Sequence, residues 1–425
     1  MNPTEHKTYL KNFTQLFSGN LIGQLLPFVF APFIARIYSP ADIAVQENFL
    51  TVVSLIGIIA MGRFEIAVVL EKSEERLPIL LKLCAWILGG FILLSSFFSI
   101  YPDWLVHFFN SEEIAFHLRF LPLAIAGLGL LNLLTQWLLH QGKYSSLSAS
   151  RIIQSFFQNA GYAFFGYIGF GVKGMLIAWI AGAILPVLIL GIPMIKSMLR
   201  KGVGQAELKE MAIHHKDFPM VNSLHAFTDI LATQFLLFGI ISHQYGVTAL
   251  GLFALTNRYL KAPLILISGS LSQLFYSEAS SLMHQNRSIK SIYLRTIRMM
   301  LMVLLPFAIV IFFFGEDLFT WYLGDKWKEA GTITVYFVPV LVTNFICSCV
   351  STTPVLMKQQ KTAYVFSLVG YALGLGMLFA SSIYGVEFKT ALLAYSLGMS
   401  FFYIVLSSWY FQMITKFEKQ VIPSN

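Results

Sequence analysis

The sequence predicts an all-α polytopic membrane protein with about twelve transmembrane helices, arranged in two six-helix lobes related by a parallel internal repeat. Three observations lead to this fold class. Of the 425 residues, 56% are hydrophobic and 12% are charged, whereas soluble globular proteins carry about 25% charged residues. The apolar residues form runs long enough to cross a bilayer. Segments of the second half resemble segments of the first half in the same order.

Hydropathy divides the chain into twelve predicted spans, because about 20 apolar residues at a rise of 1.5 Å cover the hydrocarbon core of about 30 Å. The first apolar run is longer than a signal-peptide core and lacks a small-residue cleavage site, so we expect it to be the first span of a mature chain that begins at Met1. The spans are predicted at residues 13–36, 44–70, 77–100, 119–139, 149–169, 173–195, 219–242, 248–275, 293–315, 330–356, 362–384 and 389–413.

The second span contains Glu47, Arg63 and Glu65. A charge facing lipid at the bilayer centre costs about 2.5–3.5 kcal/mol, so we expect these side chains to face protein or a water-filled cavity. On a straight helix Glu47 and Glu65 share one face, because their separation is close to five whole turns. Arg63 is expected to point away from Glu65, so that it either snorkels to the membrane surface or requires Gly62 to loosen the helix.

The basic residues indicate the orientation of the chain. If Met1 is cytoplasmic, most of the 29 Lys and Arg are assigned to the loops on the cytoplasmic side, including Lys143 before the predicted fifth span and Arg151 at its start. This asymmetry predicts that both termini are cytoplasmic. It also accounts for the net charge of +8, so no nucleic-acid partner is expected.

The two halves match at four places with a shift of a little over two hundred residues. The matched segments are IYSPADIAV from Ile37 with QYGVTALGL from Gln244, FLPLAIAGLGLL from Phe120 with FVPVLVTNFICS from Phe337, HQGKYSSLS from His140 with KQQKTAYVF from Lys358, and GVKGMLIAWIAG from Gly171 with GVEFKTALLAYSLG from Gly385. Six spans in each half, an even number, make the repeat parallel.

The predicted organisation is an N-terminal lobe at 1–195, a cytoplasmic linker at 196–218 and a C-terminal lobe at 219–425. The linker is polar and basic, and we expect its amphipathic stretch to lie on anionic lipid. Segments beginning at Pro102 and Glu316 precede the fourth span of their respective halves and contain several aromatic residues. Both segments are predicted to be interfacial helices.

The seventh and eighth spans form a second polar cluster. One face of the seventh span carries four polar residues at helical spacing, Asn222, His225, Asp229 and Thr233. Arg258 and Lys261 lie one turn apart on the eighth span, and two cations at membrane depth suit an anionic headgroup. The alternative is that Asp229 pairs with Arg258 and only holds the two helices together.

The sequence indicates a transporter and not an enzyme. It contains no phosphate-binding glycine loop, nucleophile elbow or metal-ligand spacing. Cys84, Cys347 and Cys349 lie in apolar segments and are expected to be buried small hydrophobic residues. We expect no cofactor. An ion gradient, of H⁺ or Na⁺, or the substrate gradient would supply the driving force.

The chain resembles the polysaccharide-biosynthesis flippases that translocate O-antigen and exopolysaccharide units, of the multidrug/oligosaccharidyl-lipid/polysaccharide exporter superfamily. The resemblance rests on IYSPADIAVQENFLTVVSLIGIIAMGRFEIAVVL from Ile37, DFPMVNSLHAFTDI from Asp217 and GLFALTNRYLKAPLILISGSLSQLFYSEAS from Gly251. The AVQENF segment departs from the acidic or glycine-bearing turn common in these proteins, so the resemblance implies no role for Glu47.

The resemblance implies two six-helix lobes around a central cavity that opens alternately to each side, in a bacterial inner-membrane flippase. Its cargo would be an undecaprenyl-pyrophosphate-linked oligosaccharide for lipopolysaccharide or exopolysaccharide. Membrane lipids and other glycan-assembly proteins are candidate partners. The candidate substrate-binding residues are Arg63, Arg258, Lys261, Gln24, Asn222, Asn257 and Gln273. The candidate ion-coupling residues are Asp229, His225, Glu47 and Glu65.

Two other functions remain open. An antiporter for cationic drugs would need a cavity dominated by carboxylates, which Glu47, Glu65 and Asp229 could supply. A membrane glycan polymerase or ligase would be expected to place its catalytic residues in a large periplasmic loop. No predicted external loop has that length.

Overall fold

A computed structural model of the chain describes residues 3–199, 202–216, 218–219, 223–285 and 287–421. The described part is helical, with no strand. The helices of the first half are α1 (Pro3–Ile37), α2 (Pro40–Gly57), α3 (Phe64–Leu70), α4 (Leu77–Ile100), α5 (Asp103–Phe109), α6 (Glu113–His117), α7 (Leu121–His140), α8 (Tyr144–Tyr167), α9 (Gly171–Leu190), α10 (Ile192–Leu199) and α11 (Gln205–His214). Those of the second half are α12 (Ser223–Ile230), α13 (Leu237–Tyr245), α14 (Val247–His284), α15 (Lys290–Leu323), α16 (Lys328–Cys349), α17 (Thr353–Leu356), α18 (Gln360–Ile383) and α19 (Phe388–Val421).

The predicted all-α membrane fold is confirmed. Ten helical segments of the described chain are long and apolar enough to cross a membrane, and each matches a predicted span. The other two predicted spans correspond to α2 with α3, which an interruption divides, and to α8, which carries many polar residues. The protein is therefore a multi-pass membrane protein. Cys84, Cys347 and Cys349 are buried and free, as predicted.

The chain forms two compact units, Met1–His243 and Gln244–Asn425. In the first unit α8 packs on α1 and α9, and α7 packs on α4 and α9. In the second unit α16 packs on α14, α15 and α19, while α18 packs on α19. The seventh span, α12 to α13, belongs to the first unit. The predicted division at 196–218 stays a prediction.

Helix ends fix the register of the internal repeat. Helices end in the same hydrogen-bonding motif at residues 142 and 358, and again at 169 and 385. In each case a residue with positive φ is followed by an N–H that bonds to the carbonyl five residues back, which is a Schellman motif. Both pairs are separated by 216 positions, so the matches predicted from His140 and Gly171 are each displaced by two residues.

Two tyrosines support this register. The hydroxyl of Tyr38 donates to the carbonyl of Tyr162 over 3.0 Å, and the hydroxyl of Tyr245 donates to the carbonyl of Leu378 over 3.1 Å. Both tyrosines precede the second helix of their half, and the two acceptors are again 216 positions apart. The repeat is therefore present in tertiary contacts as well as in the sequence.

The two predicted interfacial helices differ. The segment from Pro102 forms a separate short helix, α5, after the third span. The segment from Glu316 instead continues α15 without a break to Leu323, and the helix ends at Gly324, which has a φ of 103°. The segment from Glu316 is therefore helical, as predicted, and Pro306, which lacks an N–H, does not end α15. Its interfacial position stays a prediction.

The linker docks on the first unit through α11. Met211 is buried against α4, and Nε2 of His215 lies 3.6 Å from a carboxylate oxygen of Glu71. Glu71 belongs to the loop between α3 and α4, so this loop and the linker lie on the same side of the unit. The predicted contact of the linker with anionic lipid stays a prediction.

Candidate functional site

The second span is interrupted at Gly62 and Arg63. Both residues are left-handed, with φ of 60° and 61°, and α3 begins directly after them. A Cβ at Gly62 would lie 3.2 Å from the ring of Phe64, so glycine suits this turn on steric grounds as well. The prediction that Gly62 loosens the helix is confirmed. The prediction that Glu47 and Glu65 share one face of a straight helix is wrong, because the helix does not continue through this turn.

The left-handed turn brings Arg63 and Glu65 together. Nη1 of Arg63 lies 3.8 Å from Oε1 of Glu65, and their side chains are 24% and 7% exposed. The prediction that they point apart assumed helical spacing, which a left-handed residue abolishes. Among the described residues, Nε of Arg63 and Oε2 of Glu65 are buried without hydrogen-bond partners. Each side chain of this ion pair therefore still has an atom that could form a further hydrogen bond.

Arg63 lies at membrane depth. The seven residues of α3 separate it from the loop between α3 and α4, which corresponds to about 10 Å of helix. Buried, incompletely bonded polar atoms are costly in a low-dielectric region and commonly mark a functional site. The interruption therefore holds a cation where an anionic group of a membrane substrate could reach it.

Glu47 lies on α2 between two fully buried polar residues, Gln46 and Asn48. Asn48 donates to the hydroxyl of Ser242 over 3.2 Å, and Ser242 donates to the carbonyl of Phe109 over 2.6 Å. These bonds connect α2 to α13 and to the end of α5. Glu47 itself is half-buried, beside this network.

The predicted polar face of the seventh span lies mainly on α12. His225 is exposed and Asp229 is half-buried. The hydroxyl of Thr233 donates to the carbonyl of Asp229 over 2.7 Å, at the start of a π-helix (Leu231–Leu236) that links α12 to α13. Wide helical turns of this kind often occur at functional sites. Asn222 lies outside the described residues.

The candidate residues of the eighth span lie on α14, in the second unit. Arg258 and Lys261 are half-buried, and Nζ of Lys261 lies 5.9 Å from the centroid of the Phe337 ring. The side-chain oxygen of Asn257 is buried without a hydrogen-bond partner among the described residues. Gln273 is exposed and lies more than three turns after Lys261 on the same helix. The pairing of Asp229 with Arg258 stays a prediction.

Gln24 lies in a polar cleft between α1 and α8, with a volume of about 380 Å³. We call it the α1–α8 cleft. Its lining residues are Asn20, Gly23, Gln24, Pro27, Arg151, Gln154, Ser155, Gln158 and Asn159.

Sequence analysis missed Arg151 and the carboxamides beside it. It assigned Arg151 to a cytoplasmic loop, whereas α8 begins at Tyr144 and places Arg151 about two turns inside the helix. The available signal was the spacing of residues 151, 154, 155, 158 and 159, which puts their polar side chains on one face of a predicted span.

Comparison with known proteins identifies the family. The family model described as polysaccharide biosynthesis protein matches residues 33–332. The chain belongs to this family. The match includes the interruption at Gly62 and Arg63, α8 and the candidate residues on α14. No curated protein matches the chain in sequence.

Solved structures show the fold of this polysaccharide biosynthesis family member. The lipid II flippase MurJ, in an inward closed conformation, matches with a TM-score of 0.71 and 16% identity over 95% of this chain and 90% of that one. An inward-facing multidrug resistance MATE family transporter of the MOP superfamily matches with a TM-score of 0.67 and 14% identity over 93% and 96%. A MOP superfamily transporter from Pyrococcus furiosus matches with a TM-score of 0.57 and 12% identity over 96% of both chains. The chain therefore has the fold of this superfamily, which confirms the predicted resemblance.

Proposed function

We propose that this protein is a flippase that moves an undecaprenyl-pyrophosphate-linked oligosaccharide, an O-antigen or related surface-glycan unit, from the cytoplasmic to the periplasmic leaflet by alternating access. The observation that carries the proposal is the interruption of the second span, which keeps Arg63 at membrane depth with its hydrogen bonds incomplete. Membership of the polysaccharide biosynthesis family supports the choice of cargo.

The chemistry of Arg63 suits a pyrophosphate. A guanidinium offers five donors in a planar fork that matches phosphate oxygens, and it stays charged at any physiological pH. Glu65 lowers the cost of holding this cation in the membrane while no substrate is bound. A pyrophosphate could take up the hydrogen-bonding capacity that Glu65 leaves unused. Arg258 and Lys261 on α14 are proposed to contribute further positive charge, and Asn257 and Gln273 to contact sugars.

The structure favours this function over antiport of cationic drugs. Such an antiporter needs carboxylates that are available to a cation, and Glu65 already lies 3.8 Å from Arg63. No carboxylate is among the described residues that line the α1–α8 cleft. These observations support an anionic, sugar-bearing cargo.

We further propose that the protein lies in a bacterial inner membrane with cytoplasmic termini and works as a transporter without enzymatic activity. Asp229 with His225, and Glu47 with Glu65, are proposed to couple transport to H⁺ or Na⁺, because acidic and imidazole groups at membrane depth can exchange ions. Transport measured under an imposed proton or sodium gradient, with Asp229→Asn as the test variant, would distinguish the two ions.

Reconstitution tests the proposed function. Proteoliposomes would contain a polyprenyl-pyrophosphate-linked oligosaccharide in their inner leaflet, and its arrival outside would be measured with an impermeant glycosidase. We expect wild-type protein to speed this arrival and Arg63→Gln to abolish the effect. Arg119→Gln, at an exposed arginine that is the first residue of the predicted fourth span, is the matched control. If the oligosaccharide arrives outside no faster with wild-type protein than in protein-free liposomes, the proposal is wrong.

A further inference from the structure

The α1–α8 cleft is built by close packing of two helices. A Cβ at Gly19 would collide with the side chain of Ser148, so only a very small residue allows this approach. One to two turns further along, the hydroxyl of Ser155 donates to the carbonyl of Gly23 over 2.6 Å. Small residues and interhelical hydroxyl bonds are the usual means by which membrane helices pack closely. The polar side chains that border this contact are therefore held on a rigid pair of helices.

The cleft lies between two predicted spans, residues 13–36 and 149–169. From the start of α8 at Tyr144, Arg151 is about 10 Å along the helix and Asn159 about 22 Å. A bilayer core is about 30 Å thick, so this row of polar groups lies where polar side chains are expensive. Lipid would leave these groups without hydrogen-bond partners, which favours a polar occupant of the cleft.

Most polar side chains of the cleft have no hydrogen-bond partner among the side chains that the structure describes. Among the described side chains, none hydrogen-bonds or forms an ion pair with Arg151, Gln154 or Gln158. Ser155 and Asn159 do form hydrogen bonds, since the hydroxyl of Ser155 donates to the carbonyl of Gly23 and the amide of Asn159 donates to the carbonyl of Ser155 over 2.7 Å. The cleft thus presents one cation and several carboxamides, with no carboxylate among its lining residues.

The internal repeat shows that the fold does not require these polar residues. Helix α18 occupies the position of α8 in the second half, and the helix ends and the tyrosine contacts fix a register of 216 positions. The counterparts of Arg151, Gln154, Gln158 and Asn159 in this register are Ser367, Gly370, Gly374 and Leu375. The same backbone geometry therefore forms with small or apolar residues at these positions.

We propose that the α1–α8 cleft binds the glycan end of the lipid-linked substrate, with Arg151 on an anionic group and the carboxamides of Gln24, Gln154 and Gln158 on sugar hydroxyl or acetamido groups. The inference rests on the proposed flippase function and specifies where the cargo is recognised. Carboxamides donate and accept hydrogen bonds at once, as sugar hydroxyls do. The anionic group that Arg151 binds is either the pyrophosphate of the carrier or the carboxylate of an acidic sugar.

Binding of three short-chain probes to the purified full-length protein tests the proposal. The probes are farnesyl pyrophosphate, farnesyl-pyrophosphate-linked N-acetylglucosamine, and a phosphate-free farnesyl glycoside that ends in glucuronic acid. We expect Arg151→Gln to weaken binding of either the two pyrophosphate probes or the glucuronic acid probe by about tenfold to a hundredfold, because a charge-assisted hydrogen bond contributes about 1.5–3 kcal/mol. Weaker binding of the pyrophosphate probes would identify the pyrophosphate as the group that Arg151 binds, and weaker binding of the glucuronic acid probe would identify the sugar carboxylate.

A second variant tests the carboxamides separately. Gln154→Leu with Gln158→Leu should weaken binding of the sugar-bearing probes about tenfold or more and leave farnesyl pyrophosphate within about twofold of wild type. Ser367→Ala, at the counterpart of Arg151 on α18, is the matched control and should bind all three probes as wild type does. If Arg151→Gln lowers the thermal midpoint, Arg151→Lys is used in its place for the binding measurements. Lysine keeps the positive charge but lacks the planar fork of the guanidinium.

Wild-type affinity for all three probes in both cleft variants would overturn the inference. Its failure is distinguishable from failure of the proposed function. If wild-type protein and the cleft variants flip the oligosaccharide equally, the flippase function stands and the cleft assignment falls. If wild-type protein does not flip the oligosaccharide but binds the probes through the cleft, the flippase function falls and the cleft assignment stands.

Discussion

Helices α8 and α18 occupy the same position in the two halves of the chain, yet their surfaces differ. Both follow a helix end with the same hydrogen-bonding motif, and both end in a glycine with positive φ. Helix α8 carries Arg151 and a row of carboxamides, whereas α18 has small or apolar residues in that register. The repeat therefore preserves backbone geometry, whereas the row of polar side chains is present only on the helix of the first half.

The partners of the two helices also differ. Helix α8 packs along α1 through Gly19 and Gly23. The seventh span, which is the counterpart of α1, belongs to the first compact unit, where Phe235 stacks on Phe108 of α5. Within the second unit α18 packs mainly on α19 and exposes large apolar side chains such as Val365 and Phe379.

The largest expected effect comes from separating α1 from α8. Gly19→Val should destabilise the protein by about 1–3 kcal/mol and abolish flipping, because the added methyl groups would collide with Ser148. Gly376→Val on α18, where a Cβ would meet nothing within 4 Å, should change stability by less than about 0.5 kcal/mol. Thermal midpoints in detergent and transport in proteoliposomes measure both. Equal effects of the two substitutions would contradict the comparison.

The two tyrosine contacts should differ in strength. Tyr38→Phe should cost about 1 kcal/mol, because Tyr38 is 2% exposed and its hydroxyl bond is buried. Tyr245→Phe should cost less, because the bond to Leu378 is only partly buried and water can replace it. Thermal unfolding of the two variants under identical conditions is the measurement. A larger decrease in the thermal midpoint for Tyr245→Phe than for Tyr38→Phe would contradict this expectation.

The helix end at Lys358 should become more stable if Lys358 is replaced by glycine, the residue at the equivalent position of the first half. Lys358 is left-handed, with a φ of 54°, where its counterpart is Gly142. Lys358→Gly should stabilise the protein by about 0.5–1 kcal/mol, since it relieves about 1–2 kcal/mol of left-handed strain and loses part of this to backbone entropy. Gly142→Lys is the reciprocal variant and should lower the thermal midpoint. A lower midpoint for Lys358→Gly would argue against the shared register.

The smallest expected effect concerns the segment that follows the sixth span. Burial, helped by the neighbouring charges of His214 and Arg76, lowers the pKa of His215, although Glu71 acts in the opposite direction. A lowered pKa means that the undocked linker binds protons more readily than the docked one, so docking weakens as pH falls below about 6.5. Amide exchange in α11, corrected for intrinsic rates, should therefore be faster at pH 5.5 than at pH 7.5.

The variant His215→Asn is the control for this pH effect, because it removes the titrating group and keeps a polar side chain. Exchange in α11 of this variant should no longer depend on pH between these values. An unchanged pH dependence would assign the effect to another group.

Sequence patterns predicted the spans and the repeat but not the details of the interruption in the second span. A helix loosened at Gly62 was one of two interpretations of Arg63, and the structure confirms it. The direction of Arg63 could not be predicted, because a single left-handed residue reverses the face that helical spacing assigns. Two of the predicted matches between the halves were displaced by two residues from the register that the helix ends define. Hydropathy changes little when two helical segments are shifted by two residues, whereas a hydrogen-bonded helix end occurs at one position only.

A multi-pass helical membrane protein could be predicted from the sequence alone, because the length and apolarity of a segment decide whether it can cross a bilayer. The internal repeat could be predicted from segments that match in the same order. Which polar residues share a site depends on tertiary contacts. Arg151 lies in the α1–α8 cleft because Gly19 and Ser148 let two helices approach that are far apart in the chain. Such an approach depends on the fit between two surfaces, and hydropathy along one segment contains no information about its partner.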